Sequence, residues 1–315
     1  MGKSLAKSPT RFVFDLFLDR KILPLYSPKL KNKISHKIIL GENKPVKVSN
    51  THPFTVKDIP DYLELSTQGN YPFKCKEIRQ YEGFLVNLTK HNNINSYLTD
   101  NLNKRNRKNV FAKRNKLHER HNIKYVCYHK NIDRLEYDRL FKRFYTFLEK
   151  RFHEKRILNR YLDNWNTIHR DVYQKIIDGC ASLYVIYDKK EPISITLNFH
   201  LGDIVFSHIH AYDILYSNYN LGDVNMLANI EWCLENKVSV FDLSMGKTYN
   251  KQKWCNHTYY FVYHIFYDRK STRSKILSDI IILKLKFLQY LRNKNIVGKL
   301  FQYDRLLYWK KAKEI

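Results

Sequence analysis

The stretch 182–267 confines what this chain can fold into more tightly than any other. Three β-type runs, 182–187, 193–200 and 204–212, are joined by two turn-like linkers, Asp188-Lys189-Lys190-Glu191-Pro192 and Leu201-Gly202-Asp203. A loop at 217–221 gives way to a helix over 222–235, whose Met226, Leu227, Ile230 and Leu234 share one face. A strand at 238–243 and a last one at 259–267 follow. Strand, helix and strand within about 40 residues make a βαβ unit, because parallel neighbours need a crossover of that length.

Upstream, a helix is predicted over 95–121 from the spacing of Leu98, Leu102, Val110 and Leu117. A strand at 123–128 comes next. A helix is expected over 131–152, where Leu135, Leu140, Phe141, Phe144 and Leu148 fit one buried stripe, and another over 165–177. The first 94 residues mix β-type runs (11–18, 37–40, 83–88) with loops, and they hold seven of the eight prolines. There is no internal repeat. The pattern as a whole is α/β (α+β), a mixed sheet flanked by helices.

Composition decides less. With 56 Lys and Arg against 30 Asp and Glu, the formal charge is +26. Such a surface attracts polyanions (nucleic acid, anionic lipid, a phosphate-rich cofactor), or it is a lysine-rich surface that only meets water. Nine Lys or Arg lie between Lys104 and Lys124 against the single acid Glu119. The five cysteines (Cys75, Cys127, Cys180, Cys233, Cys255) form no CxxC pair, which argues for a reducing compartment. No secretory h-region follows Met1, and no run approaches the ~18 apolar residues that span a bilayer. A cytoplasmic enzyme is the expectation. The tail 271–315 reads as a basic helix with a stripe of Ile276, Ile280, Leu283, Phe287 and Leu291. It either packs on the domain or lies peripherally on an anionic membrane, at the inner face.

Several residues could carry chemistry. Asn220-Leu221-Gly222-Asp223 opens a helix, and free N–H groups there suit a phosphate, although a Gly before a helix is also an ordinary start signal. Asp242 ends a strand and is either a base or a turn cap. Asp213 is either a substrate contact or a loop cap. His208 and His210 alternate along one strand, so both are expected on one face, as sheet residues or, for His210, as a proton carrier. No third ligand stands at metal-binding spacing, so no metal is expected. Lys251 either binds an acceptor or meets solvent, and Trp254 either packs or lines a site.

The segment Val240-Phe241-Asp242-Leu243-Ser244-Met245-Gly246-Lys247-Thr248-Tyr249-Asn250-Lys251-Gln252-Lys253-Trp254, taken with Tyr212-Asp213 and Gly222 before it, resembles acyltransferases of the GNAT superfamily. The branch is the one with cellulose-biosynthesis-type acetyltransferases and Fem-type peptidyltransferases. The resemblance implies a twisted GNAT-like mixed sheet, doubled in the sense that 1–94 is a degenerate first unit, 95–270 the acyltransferase domain and 271–315 a packed tail. It implies acetyl-CoA or another acyl-CoA as co-substrate, with its pyrophosphate at Asn220, Leu221, Gly222 and Asp223. It implies Asp242, Asp213 and His210 as candidates for proton handling and Tyr249 as the acid for the thiolate. Tyr249 stands one residue before the family's tyrosine, and Asn250 fills that position. Tyr212, Lys251 and Trp254 become acceptor contacts, and the acceptor a small-molecule or glycan amine such as an amino sugar of a cell-envelope precursor. Two alternatives share the resemblance: a Fem-type enzyme using aminoacyl-tRNA, and a non-catalytic basic relative that binds RNA or membrane.

Overall fold

A computed structural model describes residues 10–44, 52–68, 71–294, 296 and 308. The N-terminal part contains β1 (Thr10–Arg11), α1 (Phe12–Asp19), β2 (Lys21–Ile22), β3 (Lys29–Asn32), β4 (Ile38–Leu40), β5 (Glu42–Asn43), β6 (Phe54–Pro60), β7 (Leu63–Glu64) and β8 (Phe73–Asn87). Next come α2 (Ile94–Asn101), α3 (Lys104–Arg120), β9 (Ile123–Tyr128), α4 (Arg134–Lys155), α5 (Arg160–Asp163) and α6 (Trp165–Ile177). The remainder holds β10 (Ala181–Asp188), β11 (Glu191–Leu201), β12 (Ile204–Tyr212), a 3₁₀ turn (Ile214–Tyr219), α7 (Leu221–Glu235), β13 (Val240–Met245), α8 (Tyr249–Trp254), β14 (His257–Asp268) and α9 (Thr272–Asn293).

Nine strands form one mixed sheet in the order β1-β6-β14-β8-β13-β12-β11-β10-β9. The predicted βαβ unit is present: β12 and β13 pair in parallel, with α7 between them in sequence. The expected boundary after residue 94 falls just inside α2, yet the sheet runs across it. Strands β6 and β8 from before the boundary sandwich β14, which comes from after it. The main core lies where α1, α4 and α6 cover one face, with Phe17 stacked on Phe206 at 4.8 Å between ring centroids. On the other face α2 and α7 cover Phe84, Val86, Val205 and Phe241.

Four local expectations are corrected. The run expected as a strand over 11–18 is almost all helix, α1 spanning Phe12–Asp19. Phe12, Val13, Leu16 and Phe17 lie at helical spacing and all bury, and Arg20 closes the helix in the left-handed region at φ 56°. The helix expected over 95–121 is two helices. Leu102 turns into the core in extended conformation, and the Asn103 side chain restarts the next helix by accepting from Asn106 N–H. Strand β6 was not foreseen, and β8 is 15 residues long where only its last third was expected. Polar residues on its exposed half hid it from an apolar pattern.

The fourth correction concerns the tail. Helix α9 packs on β8 and β14 through Ser274, Ser278 and Leu285, with Ile281 and Ile282 alongside. Ile276, Ile280, Leu283 and Phe287 of the expected stripe point outward, between 55% and 66% exposed. Most of the tail beyond residue 294 lies outside the described residues. Among the described residues no helix is long and apolar enough to cross a membrane.

Candidate active site

Strands β12 and β13 share only three paired positions, from Ile204↔Val240 to Phe206↔Asp242. Beyond these the two strands part company. A bulge in β12 places one extra residue, His208, between Ser207↔Asn198 and Ile209↔Leu197. On the other side Ser244 and Gly246 take positive φ, 63° and 93°, and turn β13 away. A side chain on Gly246 would meet open space, so it is the left-handed backbone that calls for glycine there. The edge of β12 after Phe206 is thereby left without a strand partner on the β13 side. This unpaired edge lies toward the carboxyl ends of two parallel strands, where open α/β sheets bind ligands.

The bulge also separates the two histidines. His208 lies against Phe14, Tyr161 and Phe199 on the main-core face. His210 bonds Ser194 Oγ through Nε2 at 3.0 Å. Ser194 shares its face with Thr196 and Asn198, which bond Asn225 and Asn229 of α7 at 2.9 Å each. The two histidines therefore point to opposite faces, not to one. Burial lowers His208 to about 4 and His210 to about 3, so both are neutral near pH 7. Among the described residues no cluster of His, Cys, Asp and Glu could hold a metal ion.

Asp242 is fully buried at the last position of β13 that pairs with β12. Its carboxylate accepts from Tyr62 Oη–H at 2.7 Å, from Tyr259 Oη–H at 2.9 Å and from Ser244 N–H at 2.6 Å. Burial raises it to about 6, while these donors and the nearby Lys251 pull the other way. Tyr259 reaches Asp242 by laying its ring across Gly83 of β8, where any side chain would overlap the ring. Lys251 is half-buried. Thr248 caps α8 by accepting from Lys251 N–H, which sends the side chain back to donate to the Met245 carbonyl. Burial lowers Lys251 to about 8, against an opposing pull from Asp242.

The start of α7 is built differently from an ordinary cap. Asn220 sits in the left-handed region, and its side chain makes no capping bond. Asn220 Nδ2 instead donates to Asp223 Oδ2 at 2.5 Å. Asp223 is buried and pairs with Lys253 Nζ at 2.5 Å, and its Oδ1 accepts from Trp254 Nε1–H at 2.7 Å. The acid expected to face a bound phosphate is thus neutralised from the side. Among the described residues nothing accepts from the Leu221 and Gly222 amides. A left-handed residue followed by the first helical turn makes a concave pair of N–H groups suited to an anion.

The other expected residues lie around this centre. Asp213 is buried, caps the 3₁₀ turn by accepting from Leu215 N–H at 3.1 Å, and bonds Arg143 Nη2 at 3.0 Å. The Arg151 guanidinium lies 4.5 Å from the Tyr212 ring centroid, and its Nη1 is buried with no bonding partner among the described residues. Trp254 is fully buried and acts as packing as well as a donor to Asp223. Tyr249 opens α8 and is 76% exposed. Sequence reasoning missed Tyr62, Gly83, Arg143, Arg151 and Tyr259. The spacing of Arg143 and Arg151, two helical turns apart about Phe147, was the one legible signal; the others are distant in sequence and meet only in the folded sheet.

Residues 104–252, a little under half of the chain, match the family model described as an acetyltransferase (GNAT) domain. No curated protein matches the chain. Among solved structures, similarity extends to FemX at 11% identity, over 72% of this chain and 74% of that one, with a TM-score of 0.49. It extends to L-PGS from Bacillus licheniformis at 12% identity, over 65% of each chain, with a TM-score of 0.40. A conserved protein of unknown function from Bacteroides thetaiotaomicron is 9% identical over 62% of each chain, with a TM-score of 0.41. The chain spans less than two thirds of the length of these last two. The family match covers α3 through most of α8, so the stretch that resembles a GNAT-type acetyltransferase domain takes in both the β12–β13 opening and the start of α7.

Proposed function

We propose that the protein moves an acyl group, acetyl being the simplest, from coenzyme A to the amine of a small-molecule or glycan acceptor. The observation that carries this reading is the uncapped start of α7 beside the opening between β12 and β13. The Leu221 and Gly222 amides are suited to the pyrophosphate, and the opening admits the thioester arm between the strands. Unpaired N–H groups on β12 then stabilise the oxyanion of the tetrahedral intermediate.

The acceptor amine attacks the thioester carbonyl carbon, forming C–N as the C–S bond breaks. The amine's proton passes to Lys251, the group in the cleft whose neutral form is available near pH 8. Asp242 holds Lys251 in place by charge and does not touch the acceptor. The thiolate is protonated at the rim, where Tyr249 stands. Tyr212 and the spare N–H of Arg151 orient the acceptor. An amino sugar fits this reading, since it offers both an amine and hydroxyl groups.

One feature favours a second reading, with aminoacyl-tRNA as donor. Lys104, Arg105, Lys108, Lys116 and Arg120 are exposed along α3, and Lys113 of that helix donates to the Asn218 carbonyl at 2.8 Å, next to the proposed anion site. Thermal stabilisation separates the two. Coenzyme A and acetyl-CoA are expected to raise Tm at low and high salt, because a ligand that binds only the native state stabilises it. A shift with tRNA alone, lost at high salt, would replace the first reading by the second.

A further inference from the structure

Helix α9 uses one side against the sheet and leaves a second apolar side open. Ile276, Ile280, Leu283, Phe287 and Tyr290 are each more than half exposed. Their steps of four, three, four and three hold them in one seam, about 20 Å long at 1.5 Å per residue. A continuous apolar strip of this kind on a chain so rich in charge marks a surface that meets something.

The charges around the strip decide what that is. Arg273, Lys275, Lys284 and Lys286 are exposed on the same helix, and the exposed Lys294 caps its end. The acid of this helix, Asp279, is paired with Lys76 at 2.6 Å. Lys284 and Lys286 border Leu283 and Phe287 directly. Face-to-face pairing with a second copy would set lysine against lysine, between chains that each carry a formal charge of +26. An anionic bilayer satisfies both parts, taking the apolar seam at the acyl boundary and the lysines at the phosphates. We infer that α9 docks the protein on an anionic lipid surface, seam inward.

Flotation of the full chain with phosphatidylcholine vesicles, with and without phosphatidylglycerol, tests this. Binding is expected only to the vesicles that contain phosphatidylglycerol. The L283Q/F287Q double variant keeps every charge and should lose binding about tenfold or more, since apolar insertion is removed. K284E/K286E should weaken binding as well, while both variants melt like the parent because the changed residues are exposed. Equal binding by parent and L283Q/F287Q would overturn the inference, as would no binding to phosphatidylglycerol vesicles. A dimer in the parent that L283Q/F287Q abolishes, without lipid binding, would assign the seam to a second copy instead.

Discussion

Asp242 is held by two tyrosines that lie nearly 200 residues apart in sequence, Tyr62 and Tyr259. Each donates to the charged form, so each lowers the cost of ionising a carboxylate that burial has raised to about 6. The Y62F variant should therefore push the Asp242 titration above about 6, which moves the acid limb of the kcat–pH profile upward. Lys251, the proposed base, adds a second rise, and activity should climb through about pH 8 as it loses its proton. Varying the acceptor amine separates the two groups from the substrate, because a limb that stays fixed belongs to the enzyme. A Y62F profile identical to the parent's would remove Asp242 from the reaction. For stability the sign differs. The folded state binds Asp242's proton more tightly than the unfolded state, so this group's contribution grows as pH falls from about 6 toward the ordinary 3.8.

At the scale of elements, α8 is short, yet it seals the start of α7. The contact is the buried pair of Lys253 and Asp223, reinforced by the Trp254 indole. Removing one partner leaves the other charge buried and uncompensated, so K253M should cost about 3–5 kcal/mol in urea denaturation. It should also weaken coenzyme A binding, since an unpaired Asp223 then faces the pyrophosphate. The D223N/K253M double variant should recover much of the stability. Additive losses in that cycle would show that the two helices are not coupled through this pair.

At the scale of the whole molecule, the nine-stranded sheet crosses the boundary, and strands from the first 94 residues pair with β13 and β14. Neither part can satisfy its backbone alone. Calorimetry should accordingly give a single transition whose van't Hoff and calorimetric enthalpies agree, not two. A fragment beginning at residue 95 should lack native structure by circular dichroism until 1–94 is supplied. Independent melting of the two parts would make the N-terminal strands an accessory and not a constituent of the folded unit.

By itself the sequence determined the elements whose apolar residues repeat at a regular period: β10 to β12, α4, α6, α7 and the βαβ crossover. It also made the Asp242 to Trp254 segment visible as a GNAT-like signature, because those residues are close in the chain. Only the tertiary structure decided what these residues touch. It turned Asp223 from an obstacle to phosphate into one half of a neutral pair, and it used a single bulge to send His208 and His210 to opposite faces. It also exposed the stripe of α9 that periodicity alone would have buried. The reason is common to all three. Periodicity says that a face is apolar or polar, but register, bulges and contacts between distant strands choose the partner, and those are properties of the assembled sheet.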